Sequence, residues 1–265
     1  MMRDALALYW RYVRLSLKSQ LEYRASFLML ALGNFLASGM EIVAIWALFA
    51  RFRTLKGWTL AEVALFYGIV HVAFALAEAF GRGFDTFDRQ VKSGDFDRLL
   101  LRPRSLVLQV AAGEVQLMRI GRLSQGLVVL VWAFCHLSEP VGLRQIILAG
   151  LAIGGGAALF TGLFVLQATL SFWTTESLEV MNTVTYGGTE TAQYPLTIYR
   201  LWFRRFFTFV VPLACVSYLP ILGILRPLET AAWVPFVAPL AGIVFLLVAL
   251  RVWRIGVRHY RSTGS

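Results

Sequence analysis

Residues 25–50 read ASFLMLALGNFLASGMEIVAIWALFA, and in this run Glu41 is the one charged side chain. A helix needs about 20 predominantly apolar residues to cross roughly 30 Å of hydrocarbon, so the run is long enough to span a bilayer. It is about twice the length of a secretory-signal core, with no small-residue cleavage pattern close behind a short charged segment, and it is read as a membrane anchor. Outward from it the same pattern recurs at Leu60 to Phe80, Leu108 to Leu137, Gln145 to Leu170, Phe206 to Leu225 and Ala231 to Val252. The third segment is the weakest. Its strictly apolar part is Gly126 to Leu137, and it reaches spanning length only if the helix starts near Leu108 and carries Arg119 and Arg122 beyond the hydrocarbon. The composition agrees with this reading: 58% of the 265 residues are hydrophobic and 15% charged, which excludes an ordinary soluble globular domain. The fold class expected is an all-α integral membrane protein with six transmembrane helices, over 1–265 as a single domain, since no internal repeat, low-complexity tract or Pro-rich linker divides the chain.

The net charge of +10 suits either nucleic acid or a membrane surface, and the placement of the charges decides between them. With six spans, 20 of the 25 Lys and Arg residues fall on one side: Arg3, Arg11, Arg14, Lys18 and Arg24, eight residues from Arg82 to Arg122, then Arg200, Arg204, Arg205 and the four from Arg251 to Arg261. The other side holds Arg51, Arg53, Lys56, Arg144 and Arg226. That asymmetry makes both termini cytoplasmic and assigns the charge to membrane topology and anionic lipid, with no nucleic-acid partner. Across 2–22, Leu6, Trp10, Val13, Leu17 and Leu21 share one helical face, while Arg11, Arg14 and Lys18 share another. This predicts an amphipathic helix along the inner interface, the alternative being a basic signal that only orients the first span. Cys135 and Cys215 sit in apolar runs and read as buried free thiols.

The longest polar stretch joins spans two and three and contains Ser93-Gly94-Asp95-Phe96-Asp97-Arg98-Leu99-Leu100-Leu101-Arg102-Pro103. Ser93, Gly94 and Asp95 offer a helix start, the first-turn acids suit the helix dipole, and Pro103 biases Arg102 away from helical geometry. Phe96, Leu99 and Leu100 share a face of this two-turn helix, with Asp97 and Arg98 turned away. So short a helix is not stable alone and must dock, either on another subunit or on the bilayer and the protein's own helices.

That run, the helix before span one and the six-span layout resemble the ABC-2 type transporter permeases. A second block agrees: Ser171-Phe172-Trp173-Thr174 with Glu176, then Tyr194-Pro195-Leu196, then Val211-Pro212 leading to Tyr218-Leu219-Pro220. The resemblance implies a half-transporter of a bacterial cytoplasmic (inner) membrane. It pairs with a second, identical or homologous permease and with two copies of an ATP-binding subunit, which hold the ATP and Mg while this chain binds no cofactor. It also implies that the loop forms a coupling helix of Asp95, Phe96, Asp97, Arg98, Leu99, Leu100 and Arg102, with Phe96 and Leu99 as apolar anchors in the partner's groove. In such permeases the segment before the last span often dips back into the membrane from outside. Pro212, Pro220 and Pro227 suit that, and an ordinary proline kink in a full span suits them equally.

No phosphate-binding Gly-x-x-x-x-Gly-Lys-Ser/Thr loop, His-Glu-x-x-His or Gly-x-Ser-x-Gly motif occurs, so the chain reads as a transport subunit and not an enzyme. His71, His136 and His259 are too scattered for a metal site. Gly150, Gly154, Ala158 and Gly162 recur at i+4 and predict a close-packing face. Polar residues inside spans are costly and face protein or water. Asn34, Ser38 and Glu41 make one such stripe, and Gly68, His71, Ala75 and Glu78 another. Glu41 and His71 fall at similar depth, which predicts a pair across the first two helices. With Asn34 and Phe209 they form the candidate translocation path by resemblance, and a carboxylate there would favour cations. The competing readings are an ATP-independent transporter or channel running along these polar stripes, and a membrane scaffold without transport.

Overall fold

The computed structural model describes residues 24–114, 120–174 and 178–260, together with Arg14, Lys18 and Glu22. Apart from those three positions, the interfacial helix expected over 2–22 lies outside the described residues. All regular elements among the described residues are helices. Four stretches are long and apolar enough to cross a membrane: Leu28–Phe52, Leu60–Lys92, Leu143–Leu170 and Val234–His259. This is an all-α, multi-pass membrane protein.

Helix α1 (Arg24–Phe52) lies on the outside of the bundle, with Met29, Met40 and Trp46 exposed. Helix α2 (Leu60–Asp85) is the axis, buried almost without interruption from Val63 to Ala77. Its start is fixed by a reciprocal cap: the Thr59 hydroxyl accepts from the Glu62 amide and the Glu62 carboxylate accepts from the Thr59 amide. Thr86 bends the chain into α3 (Phe87–Lys92), and Gly94, at φ 74°, turns it into α4 (Asp95–Leu100). That positive φ is cheap only without a Cβ, which is why glycine opens this helix.

The single helix expected over 108–137 is divided. Helix α5 (Leu106–Gly113) ends at Glu114, whose backbone is extended, and α6 (Ile120–His136) follows. Glu114 is drawn aside by the Thr86 hydroxyl, and α5 packs so closely on α2 that a Cβ at Gly83 would collide with the Val110 carbonyl. Helix α7 (Leu143–Leu170) packs along α12 (Leu240–His259). The close-packing glycines there are Gly155, Gly156 and Gly162, facing Pro239, Ala73 and Phe245; of the expected stripe Gly162 packs closely, whereas Gly150 and Gly154 face open space. Both cysteines are free, and Cys135 is exposed.

Two larger corrections follow. Helix α8 (Leu178–Ala192), a polar segment with no hydropathy signal, packs inside the bundle against α2 and α7. The span expected over 206–225 is a bent pair instead. Helix α9 (Leu201–Arg205) runs into a π-helical turn (Phe206–Val210), and a second π turn (Ala214–Tyr218) leads into α10 (Leu219–Leu225), the limbs meeting at 84°. Pro212 lies at the break, where it supplies no amide for a helical bond and its ring excludes the preceding turn. Both ends of this pair are held at the α1–α2 loop. The Lys56 ammonium donates to the Ile198 carbonyl (3.2 Å) and the Trp58 indole to the Thr197 hydroxyl (3.1 Å). At the far end Arg226 pairs with Glu62 (3.6 Å) and lies over the Trp58 ring (4.1 Å). Arg200, with Arg204 and Arg205 a turn further on, therefore belongs to the end that holds Lys56, opposite to the side that charge counting assigned. The chain then turns through α11 (Val234–Val237) into α12, which ends beside α4.

Candidate functional site

Two groups of sequence-selected residues come into view, one at each level of the bundle. At the end remote from the α1–α2 loop, α4 is seated on an aromatic cluster. Phe96 is fully buried, with ring centroids 5.0 Å from Phe87, 5.5 Å from Phe172 and 4.9 Å from Tyr260, and Trp253 closes the cluster 4.9 Å from Phe87. Edge-to-face geometry of this kind adds roughly 0.5–1.5 kcal/mol per pair beyond burial. Phe96 is thus an anchor of α4 on its own chain, and the expectation that it reaches into a partner's groove is revised. Leu99 also packs inward. The outward face carries Asp95, Arg98, Leu100, Leu101 and Arg102, with Leu101 86% exposed. Asp97 lies between the two faces beside Tyr260, whose hydroxyl is pushed above its ordinary pKa by burial and by that carboxylate. Gln109 secures the far end of the loop, donating to the carbonyls of Leu99 (3.4 Å) and Arg104 (3.2 Å).

Nearer the middle of the bundle, Glu41 and His71 do approach each other. His71 Nε2 lies 3.8 Å from Glu41 Oε2, beyond hydrogen-bonding range, and the connection runs through Tyr67, whose hydroxyl donates to that oxygen (3.2 Å) while its ring stacks on His71 (3.8 Å between centroids). Gln125 donates to the Tyr67 hydroxyl (3.3 Å). On the other side, His71 Nε2 meets Gln193 Oε1 (3.0 Å), and the Gln193 amide donates to Glu190 (2.6 Å). Because Gln193 spends its N–H on a carboxylate, its oxygen faces the ring, which fixes His71 as the Nε2–H tautomer. Tyr67, Gln125, Glu190 and Gln193 were absent from the sequence-derived site. Glu190 belongs to the unforeseen α8 and Gln193 directly follows its last residue, and Tyr67 is one turn before His71 on the polar stripe of α2. Asn34 lies on α1, but its side chain is outside the described residues. Phe209 is 81% exposed on the bent pair, and no recorded ring or polar contact joins it to Glu41 or His71.

The carboxylate of the α2 stripe behaves differently from Glu41 of α1. Glu78 is completely buried, between Arg122 of α6 (3.2 Å) and Arg82 (3.7 Å). Arg82 also pairs with Asp85 and donates to Tyr186 of α8 (3.1 Å), while Gln167 of α7 donates to Asp85 (3.0 Å). This network ties four helices together beneath α4. No group of three or more His, Cys, Asp or Glu side chains suited to a metal ion occurs among the described residues.

Residues 35–264 match the family model described as ABC-2 family transporter protein. The chain belongs to this family. The match covers α1 from its fourth turn to the end of α12, and so includes both groups of residues above. An ABC-2 family chain is a membrane permease subunit of an ABC transporter, which implies an ATP-binding partner subunit. No curated protein and no solved structure matches the chain.

Proposed function

We propose that this ABC-2 permease is one half of an exporter whose substrate is hydrophobic or amphipathic, driven by ATP hydrolysed on separate subunits. Two permeases, identical or homologous, flank the path, and two ATP-binding subunits, which hold ATP and Mg, dock on their α4 helices at the cytoplasmic face of a bacterial inner membrane. In this reading the crossings are α1, α2, the divided α5–α6, α7, α8, and α11–α12, six in all. The bent pair α9–α10 enters from the outer side and returns to it, and both termini are cytoplasmic.

The observation that carries the reading is the two-faced seating of α4. Its inner face is locked by Phe96 into an aromatic cluster drawn from α3, α12 and the chain after α7, so a push on α4 moves those elements with it. Its outer face offers Leu101 and Leu100 rimmed by Asp95, Arg98 and Arg102, an apolar centre with a charged border of the kind that docks in a groove. The test is affinity capture of the tagged chain from its native membrane in mild detergent, with ATPase activity assayed on the eluate. An ATP-binding subunit should co-elute and be released by Leu101→Asp at unchanged abundance of the permease. A well-folded chain that elutes without ATPase would overturn the reading in favour of the ATP-independent transporter.

A further inference from the structure

Beside the Glu41 cluster lies an apolar cavity of about 400 Å³ between α1, α2 and α6, lined by Ile42, Trp46, Ala64, Tyr67, Val128 and Trp132 among others. That volume falls within the roughly 300–1,000 Å³ of small-molecule sites. Tyr67 belongs to both features: its ring lines the cavity and its hydroxyl donates to Glu41. Ile42, the next residue after Glu41, lines the cavity as well.

The charges around this junction are unbalanced. The Glu41 side chain is 37% exposed and feels the repulsion of Glu190, itself exposed on α8. The cation acting on Glu41 is Arg122, and its guanidinium is already held by the buried Glu78. All the hydrogen bonds traced above run toward the two carboxylates: Tyr67 donates to Glu41, and His71 donates to Gln193, which donates to Glu190. Independently of the acids, Gln125 presents a buried acceptor. Tyr67 gives its only proton to Glu41, so the Gln125 group facing it must be the amide nitrogen, which leaves Oε1 without a hydrogen-bond partner in a residue that is 3% exposed. Trp46, Tyr67 and Trp132 line the apolar cavity, and the Glu41 carboxylate and the Gln125 side chain adjoin it through their shared partner, the Tyr67 hydroxyl. This arrangement of apolar walls beside a net negative charge favours a cationic, largely apolar guest.

We infer that the Glu41–Tyr67 junction and the adjoining α1–α2–α6 cavity bind an amphipathic organic cation, its charged head at Glu41 and its apolar body between Trp46 and Trp132. That this is the site of a transported substrate rests on the permease reading; that it binds such a cation does not.

Equilibrium binding of tetraphenylphosphonium to the purified full-length chain in detergent tests it, with tetraphenylborate as the anion of the same shape. The cation is expected to bind saturably and at least about tenfold more tightly than the anion. Glu41→Gln should weaken cation binding by about tenfold or more, Glu41→Asp should retain most of it, and Trp132→Ala should weaken both ions. Leu228→Ala, at a 99% exposed position outside the cavity lining, should bind as the unaltered chain. Equal affinity for the two ions, or unchanged cation binding by a folded Glu41→Gln chain, would overturn the inference. If Glu41→Gln fails to fold, the cation–anion comparison on the unaltered chain decides. Capture of an ATPase without cation selectivity would sink this inference and leave the permease reading standing; cation selectivity without an ATPase would do the reverse.

Discussion

Glu78 and Glu41 are both carboxylates in the membrane-spanning bundle, and the structure treats them in opposite ways. Glu78 has no exposure and two guanidinium partners, whereas Glu41 is partly open, accepts one tyrosine hydroxyl and faces a second carboxylate. The first arrangement is closed and its charge is compensated, which is how a bundle joins its helices. The second is incomplete in this chain alone, which is how a bundle leaves room for something else. Depth in the sequence's apolar pattern does not separate them; partners do.

The contrast can be broken most directly at Arg122. Replacing it with Met removes the shorter of the two guanidinium contacts described for the buried Glu78 carboxylate, and the loss expected is about 3–5 kcal/mol of stability, read as a lowered unfolding temperature in detergent. Adding Glu78→Gln to that variant should restore most of it, because the uncompensated charge is gone. The closed side of the molecule extends to the aromatic seat of α4, where Phe96→Ala is expected to cost about 3–4 kcal/mol by opening a cavity among four rings. At the loop end, Trp58→Phe keeps an aromatic side chain but removes the bond to Thr197 and part of a buried ring, for a loss of about 1–3 kcal/mol in the same measurement. On the open side, Glu41→Gln should change stability by less than about 1 kcal/mol while abolishing preference for cationic ligands in the binding assay. Leu101→Asp should be smallest of all, within about 0.5 kcal/mol, though it releases the ATP-binding partner. A Glu41 substitution as costly as the Arg122 one would erase the distinction.

Legibility in the sequence followed the same division. The long lipid-facing helices were readable because hydrocarbon imposes its composition on whatever it touches, and the breaks at Gly94 and Pro212 were readable because those residues constrain the backbone by themselves. Helix α8 was not readable. Its Thr189 and Thr191 hydroxyls donate to carbonyls a turn earlier, so these polar residues cost little inside the bundle and leave no hydropathy trace. Charge counting on a set of helices that lacked α8 put Arg200, Arg204 and Arg205 at the end opposite to the one that holds Lys56. The approach of Glu41 to His71 was expected from depth as a direct pair, but the two are 3.8 Å apart and joined through Tyr67 of α2. The groups that surround them, Gln125, Glu190 and Gln193, depend on how α6 and α8 pack in three dimensions. Phe96 was correctly placed on the apolar face of a short helix; an apolar face, however, says only that something covers it, and the cover is this chain's own Phe87, Phe172 and Tyr260.

The bent pair α9–α10 has a mechanical consequence. Lys56 and Trp58 grip one end, and Glu62 and Trp58 grip the other, so a single short loop holds both ends of a folded-back wedge. A wedge fixed in this way can tilt about its mooring but cannot slide through to the far side. Any rearrangement of α1 against α2 moves that mooring, and with it the depth to which the wedge fills the bundle.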